Sequence, residues 1–550
     1  MPEGTAVTAI DSPTDPRRPG ITGVVVVALL MMAGFELWAI LTLNHGVLLY
    51  ALDDTYIHLG FAARLHEGHY GINAGEASSP SSSILWPFLL APFGGSLQFE
   101  WVPLILNLLA ALGTAVTIPR LSALVLGPAA SGPGALFQAV LGVLLLALFN
   151  TVGLVFVGME HSLQVLLALL AVLQLFEVAG GGRSRAWLWP VLVLGPLVRY
   201  ENLALTLPAL GFLWFMGHRR AALVTLASLA GLLVTFSLFL IGQGLPPLPS
   251  SVLMKMGADA DPVWVLNRLV HNLLHTWSGR WLLLLGLALF ARVLARGERG
   301  PRGFAVVILL AIFGHSLLGD FGAFHRYEIY VIAAAVTAAA LVHRERIRGW
   351  LRTGPRLAGA IALAVLMLAS GRSLYALVAT PFASHELYRQ QYLMGRFVRE
   401  ILRAPVAVND LGLVAFRNPC FVLDLCGLGS PDVLEAQKRF PAMAWADTLC
   451  RRHGVRVAMI YDSWFRNRPA SWKRVGVLRL AATPDVPASG ALARLVRFAH
   501  HRLGRGGTTV VVGGDSVSFY AVLPEPEDRL RESLERFRPR LVGGAELVLE

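Results

Sequence analysis

The chain has 550 residues, of which 55% are hydrophobic and only 15% charged, with a mean hydropathy of +0.60. Soluble domains carry about 25% charged residues, so this composition excludes a soluble enzyme and describes a polytopic α-helical membrane protein. The net charge of +12 does not call for nucleic acid, because the basic residues cluster in short turns between apolar runs, as cytoplasmic turns do under the positive-inside rule.

Residues 1–20 are polar, rich in Pro and Asp, and carry Arg17 and Arg18; they read as a disordered cytoplasmic N-terminus. The run 21–43 is long enough to cross ~30 Å of hydrocarbon and too long for a signal-peptide core. It is therefore a first, uncleaved span, and residues 44–98 become a long outer loop. Within that loop, residues 56–66 have helical spacing. Residues 83–93 are apolar but short and interrupted by Pro, as an interfacial or re-entrant helix would be. Further spans are predicted at 99–118, 136–153, 162–178, 186–198, 202–216, 221–241, 281–295, 304–319, 328–342 and 357–379, about eleven in a transmembrane domain of residues 21–379. This count places Arg120, Arg183, Arg185, His218, Arg219, Arg220 and the basic stretches 292–302 and 343–356 on the inner side.

The last span exits outward, which makes residues 380–550 an extracytoplasmic domain. Strand-like stretches at 405–408, 421–423, 455–461, 475–480, 508–512 and 517–522 alternate with helical ones at 430–439, 442–453 and 490–503, predicting a small α/β domain. Its three cysteines, Cys420, Cys426 and Cys450, are too few for a disulfide scaffold and lack zinc spacing, although one pair could be oxidised outside the cell.

With this topology, ionisable residues collect in five outer turns. Asp53, Asp54 and His58 follow the first span. Glu160 lies between spans three and four, and Arg199 and Glu201 between five and six. Lys255 follows span seven; Asp320, His325, Arg326, Tyr327 and Glu328 lie between nine and ten. Singly, each has a plain explanation: Arg199 and Glu201 could pair or snorkel, and Glu160 could cap the next helix. Together they describe a site for a charged lipid headgroup and a polar substrate, because ionisable groups at membrane boundaries are costly and functional.

An outward-facing membrane enzyme has no nucleoside triphosphate and needs a lipid-carried activated substrate. A polyprenyl-phosphate sugar fits. Its phosphate leaves without an acid if Lys255, Arg199 or Arg326 stabilises the developing charge, and a carboxylate, Asp53 or Asp54, takes the acceptor's proton. A single base opposite the leaving phosphate inverts the anomeric centre. No cofactor is demanded, although a divalent cation on Asp53, Asp54 or Glu160 would find oxygen ligands there. Three other readings are a transporter or flippase of lipid-linked glycans, a non-catalytic membrane scaffold, and a polymerase or ligase acting on a diphosphate-linked glycan.

In order along the chain, Asp53-Asp54-Thr55-Tyr56-Ile57, Gly71-Ile72-Asn73-Ala74-Gly75-Glu76, Ser82-Ser83-Ile84-Leu85-Trp86, Gly158-Met159-Glu160, Arg199-Tyr200-Glu201, Pro249-Ser250 through Lys255, Arg326-Tyr327, Asn409-Asp410-Leu411-Gly412 and Asp424-Leu425-Cys426-Gly427-Leu428 resemble motifs of the GT-C-type integral membrane glycosyltransferases that use polyprenyl-phosphate sugars. This broad group includes the protein mannosyltransferases, and the likeness extends to members similar to the mycobacterial terminal arabinofuranosyltransferases. The resemblance implies a bacterial inner-membrane enzyme of the cell envelope. Its donor would be a polyprenyl-phosphate sugar, its acceptor a glycan, lipid or protein, and its base Asp53 or Asp54. Tyr56, His58, Glu160, Arg199, Glu201, Lys255, His325, Arg326 and Tyr327 would surround the donor. Gly60, Ser250, Glu328 and Tyr330 depart from the pattern around that site and leave the sugar open.

Overall fold

The structure is a computed structural model that describes residues 19–129, 131–256, 262–295, 297–440, 442–481, 513–522 and 526–550. The membrane half opens with α1 (Pro19–Leu43), then α2 (Asp54–His66) and α3 (Leu85–Leu90) in the first loop, both in stretches expected to be helical. It continues through α4 (Val102–Leu126), α5 (Gly132–Leu148), α6 (Thr151–Val157), α7 (His161–Ala179), α8 (Leu188–Val198), α9 (Leu203–Phe215) and α10 (Arg219–Gly242). Two short helices, α11 (Ser250–Met256) and α12 (Pro262–Val270), precede α13 (Trp277–Leu294), α14 (Arg299–Leu318) and α15 (Ile329–Val342). The half closes with α16 (Arg344–Thr353), α17 (Pro355–Ala369), α18 (Gly371–Arg389) and α19 (Gln391–Arg396).

Each predicted span is helical, but the expected count of about eleven is not what helix length supports. Among the described residues seven helices are long and apolar enough to cross a membrane, or eight if the pair α17 and α18, bent by 49°, is one span. The helices α8, α9 and α15, of 11, 13 and 14 residues, fall short. All three begin or end at the charged turns 199–202 and 319–328, whose Arg199, Arg326 and Glu328 are buried. These turns are sunk into the bundle, and the helices that reach them are correspondingly short. Elsewhere apolar side chains face outward: Leu223, Val224, Leu232, Val234 and Leu238 of α10 are exposed, as a helix facing lipid requires.

The C-terminal half holds a six-stranded sheet in the order β2-β1-β3-β5-β4-β6. Its strands are β1 (Val406–Val408), β2 (Val422–Asp424), β3 (Val457–Ile460), β4 (Lys473–Leu480), β5 (Ser516–Ala521) and β6 (Ala545–Leu549). The first three run parallel, with Val406 opposite both Val422 and Val457; the rest are antiparallel, with Val457 opposite Ala521 and Gly476 opposite Leu549. A short helix α20 (Gly412–Ala415), then α21 (Pro431–Arg439) and α22 (Ala446–Arg452), fill the crossovers among the parallel strands. The strand β6 and the helix Glu527–Phe537 were not foreseen, and the expected elements at 490–503 and 508–512 lie outside the described residues. All three cysteines are free thiols, with Cys450 buried.

The first loop joins the two halves. Asn73 exchanges hydrogen bonds with the edge of β2, its Nδ2 donating to the Val422 carbonyl at 3.0 Å and the Val422 N–H donating to its Oδ1 at 2.9 Å. Arg417 donates to Glu100 at 3.0 Å from the other side.

Candidate functional site

The site is assembled by backbone turns that only particular residues permit. Gly158, at a φ of +70° after α6, lets the chain turn while Thr55 donates to the Val157 carbonyl at 2.5 Å. A Cβ on Gly158 would lie 2.5 Å from the Tyr50 ring and 2.6 Å from Thr55, so this glycine seats α2 against the turn that carries Met159 and Glu160.

A cavity of about 190 Å³ opens there, lined by Asp54, His58, Arg199, Lys255, Arg326 and Tyr327, with Met159, Ser251 and Leu428 on its wall. Arg326 forms an ion pair with Asp54, donates to the Tyr327 hydroxyl at 2.7 Å and places its other nitrogen 3.1 Å from Met159 Sδ. Arg199 is clamped by two acids. It donates to Glu160 at 2.9 Å and, through both Nη2 and Nε, to Glu201 at 2.6 and 3.1 Å. Lys255 stands 3.6 Å from both Glu201 and Asp320, and Asp320 is also paired with Arg268. The Tyr327 ring carries all three cations, with Lys255 4.4 Å, Arg326 4.7 Å and Arg199 5.5 Å from its centre, where the ring face attracts positive charge.

The two adjacent aspartates part company. Asp54 faces the cavity. Partial burial pushes its carboxyl up, but the charge and hydrogen bond of Arg326, helped by His58 and Lys255, bring it below the usual carboxylate range. Asp53 turns to the C-terminal domain and accepts from the N–H groups of Gly412 at 2.7 Å and Leu413 at 2.9 Å. Burial and the nearby Asp410 raise its carboxyl. Burial lowers His58; its ring lies 3.3 Å from the Ser81 hydroxyl and 4.0 Å from Glu160. Burial also pushes Glu201 up, and Arg199 with Lys255 outweighs it, holding the group at about 2.

Of the residues predicted for the site, Asp54, His58, Arg199, Lys255, Arg326 and Tyr327 meet in the cavity. Glu160 and Glu201 stand behind Arg199 as its counter-charges. Tyr56 is buried and accepts from the Tyr50 N–H at 3.1 Å, supporting the loop. His325 donates to or accepts from Glu328 at 2.9 Å and lines a neighbouring apolar cavity. Ala323, Phe324 and His325 all have positive φ, and this left-handed run turns His325 away from Arg326. Arg268 was missed; its pairing with Asp320 depends on a fold-back of α12 that no short motif signals. The carboxylates named for a divalent cation are held apart by Arg326, Arg199 and backbone amides. No group of three or more His, Cys, Asp or Glu side chains is placed to hold a metal ion among the described residues.

Gly412 explains the D-L-G motif. A Cβ there would lie 2.1 Å from the Asp53 carbonyl and 2.7 Å from its Oδ2. Gly412→Ala is expected to push the first loop off the C-terminal domain at a cost of about 1–3 kcal/mol. Limited proteolysis between residues 44 and 98 should then run faster than in the wild type.

Comparison with known proteins adds a family model described as a domain of unknown function (DUF8728), which matches residues 384–512. No curated protein matches the chain. Among solved structures, the apo form of an Archaeoglobus fulgidus oligosaccharyltransferase is similar, at 11% identity and a TM-score of 0.44, over 80% of this chain and 69% of that one. A likeness at that score transfers no function, and the site is read from its own residues.

Proposed function

We propose that the protein is a GT-C-type membrane glycosyltransferase, one that moves a sugar from a polyprenyl-phosphate donor to a glycan, lipid or protein acceptor on the extracytoplasmic side of a bacterial inner membrane. The observation that carries the reading is that a cavity at the mouth of the bundle holds one partly exposed carboxylate, Asp54, beside Lys255, Arg326 and Tyr327. The ordered motif series of the sequence supports it independently.

In this reading the donor phosphate binds Lys255 and Arg326. Lys255 is a compact charge, 27% exposed, and keeps capacity for an anion, and the Arg326 guanidinium lines the same cavity beside it. The acceptor hydroxyl attacks the anomeric carbon and the carbon–oxygen bond to phosphate breaks. Polyprenyl phosphate leaves with the electron pair, and Asp54 takes the hydroxyl proton. One base on the face opposite the leaving group inverts the centre. Arg199 does not carry the phosphate; saturated by Glu160 and Glu201, it fixes the wall against which Lys255 and Tyr327 are set. A divalent cation remains part of the test.

Release of polyprenyl phosphate from a panel of labelled polyprenyl-phosphate sugars, by purified protein in lipid with and without a chelator, tests the reading. Turnover of one donor is expected. Failure of every donor, with membrane extracts supplied as acceptor, would overturn it and favour transport.

Two further results are expected. Lys255→Ala should raise the KM for donor at least tenfold with a smaller change in kcat, since a charge-assisted contact is worth about 1.5–3 kcal/mol. The pH profile has a definite sign. With Asp54 lowered, kcat/KM should lose its base only at a pH more acid than that at which a free aspartate titrates. In Arg326→Gln the carboxyl loses its main stabilising charge, its pKa rises, and the acid limb should move to higher pH. A limb that stays put would separate Asp54 from the proton transfer.

A further inference from the structure

At the opposite end of the bundle from the cavity lies a second feature that the proposed reaction does not use. The helix α15 starts beside Glu328 at the site and ends, 14 residues later, where α16 begins; its rise of about 20 Å sets α16 near the far membrane edge. A groove of about 650 Å³ runs there between α4, α5, α15, α16 and α17. That volume is within the range of binding pockets, about 300–1,000 Å³. Its walls are almost wholly apolar.

The helix α16 is two-faced. Ile347, Trp350 and Leu351 line the groove, spaced as one face of a helix. Its other side and the following turn are basic: residues 343–356 hold five arginines against one glutamate. Arg348 is tied down, donating to the Val125 and Leu124 carbonyls at 2.9 Å each. Arg346, Arg352 and Arg356 are exposed, and among the described residues none of the three pairs with a carboxylate. Trp350 is 67% exposed although it borders an apolar groove, as a tryptophan at a membrane interface is. A short basic helix with an apolar face lies in the plane of a bilayer and attracts anionic lipids.

We propose that α16 and this groove form a binding site for one anionic phospholipid, with its phosphodiester among Arg346, Arg352 and Arg356 and an acyl chain in the groove beside Trp350 and Ala340. Charge selects this occupant over a zwitterionic lipid, whose headgroup brings its own cation. The groove shares Val336, Val365 and Leu366 with the smaller cavity that reaches His325. A filled groove would therefore adjoin that cavity, which separates it from His325.

Native mass spectrometry of the full chain, released from nanodiscs made of phosphatidylcholine and phosphatidylglycerol in equal amounts, tests the site. One phosphatidylglycerol is expected to stay bound, in at least tenfold preference to phosphatidylcholine. Retention should fall at least tenfold in the surface variant Arg346→Gln/Arg352→Gln/Arg356→Gln, and also in Ala340→Trp, which fills the groove. The arginine variant alters only exposed side chains, so its loss of lipid is read on a folded protein. Equal retention of the two lipids, or unchanged retention in the arginine variant, would overturn the proposal. Preferential retention of polyprenyl phosphate, added as a third component, would assign the groove to that lipid instead and also overturn it.

Discussion

Asp54→Asn is expected to lower turnover by about 10²–10⁴-fold, the usual contribution of a positioned general base, while donor still binds. The amide cannot accept the hydroxyl proton, and Arg326, released from its ion pair, stays available to the donor phosphate. Asp53→Asn should behave differently. Both Asp53 oxygens accept backbone N–H groups, from Gly412 and Leu413, and an amide NH₂ would set a donor against one of them. The loss is one buried hydrogen bond, roughly 1–3 kcal/mol of stability, with a modest fall in kcat through displacement of the loop. Steady-state kcat and KM, measured beside thermal unfolding for both variants, separate the roles. An Asp53 variant that unfolds normally but has lost turnover, beside an active Asp54 variant, would reverse them.

The second large effect is on folding. Arg199 is 1% exposed and Glu160 fully buried. Among the described residues, Arg199→Leu would leave Glu160 with only the His58 ring, 4.0 Å away, and Glu201 with Lys255 alone at 3.6 Å. Removing one partner from a buried ion pair costs about 3–5 kcal/mol, because the remaining charge is stranded. Adding Glu160→Gln and Glu201→Gln should restore most of the stability, since the stranded charges go with the arginine. Thermal unfolding in one detergent compares the three proteins. Equal midpoints for Arg199→Leu and wild type would show that the clamp carries no structural load.

Much of this was legible from residue order alone. Apolar runs marked the long helices of the bundle, though not α11, α12 or α16, and the parity of basic turns placed Asp54, Arg199, Lys255 and Arg326 on one face, where the structure brings them together. What stayed hidden was three-dimensional. At α8, α9 and α15 the predicted bounds, 186–198, 202–216 and 328–342, agree with the helices; what residue order did not show is that these helices end on buried turns. The division of labour between Asp53 and Asp54 depends on contact with Gly412, some 360 residues away. His325 and Arg326 are neighbours in sequence, yet the left-handed run 323–325 sends them to different cavities, and Ala, Phe and His carry no signal for that backbone. Asn73 was noted only as part of a motif; its pairing with β2 shows that the motif is a joint between the two halves.

The central claim is that the cavity of Asp54, Lys255, Arg326 and Tyr327 holds a donor phosphate. A cryo-EM structure of the protein with a bound, non-hydrolysable polyprenyl-phosphate sugar analogue tests it most directly. The account predicts phosphate density within about 3 Å of the Lys255 ammonium and the Arg326 guanidinium, with the sugar's anomeric carbon turned toward Asp54. Phosphate density elsewhere, with Arg326 still paired to Asp54 and the cavity empty, would contradict it.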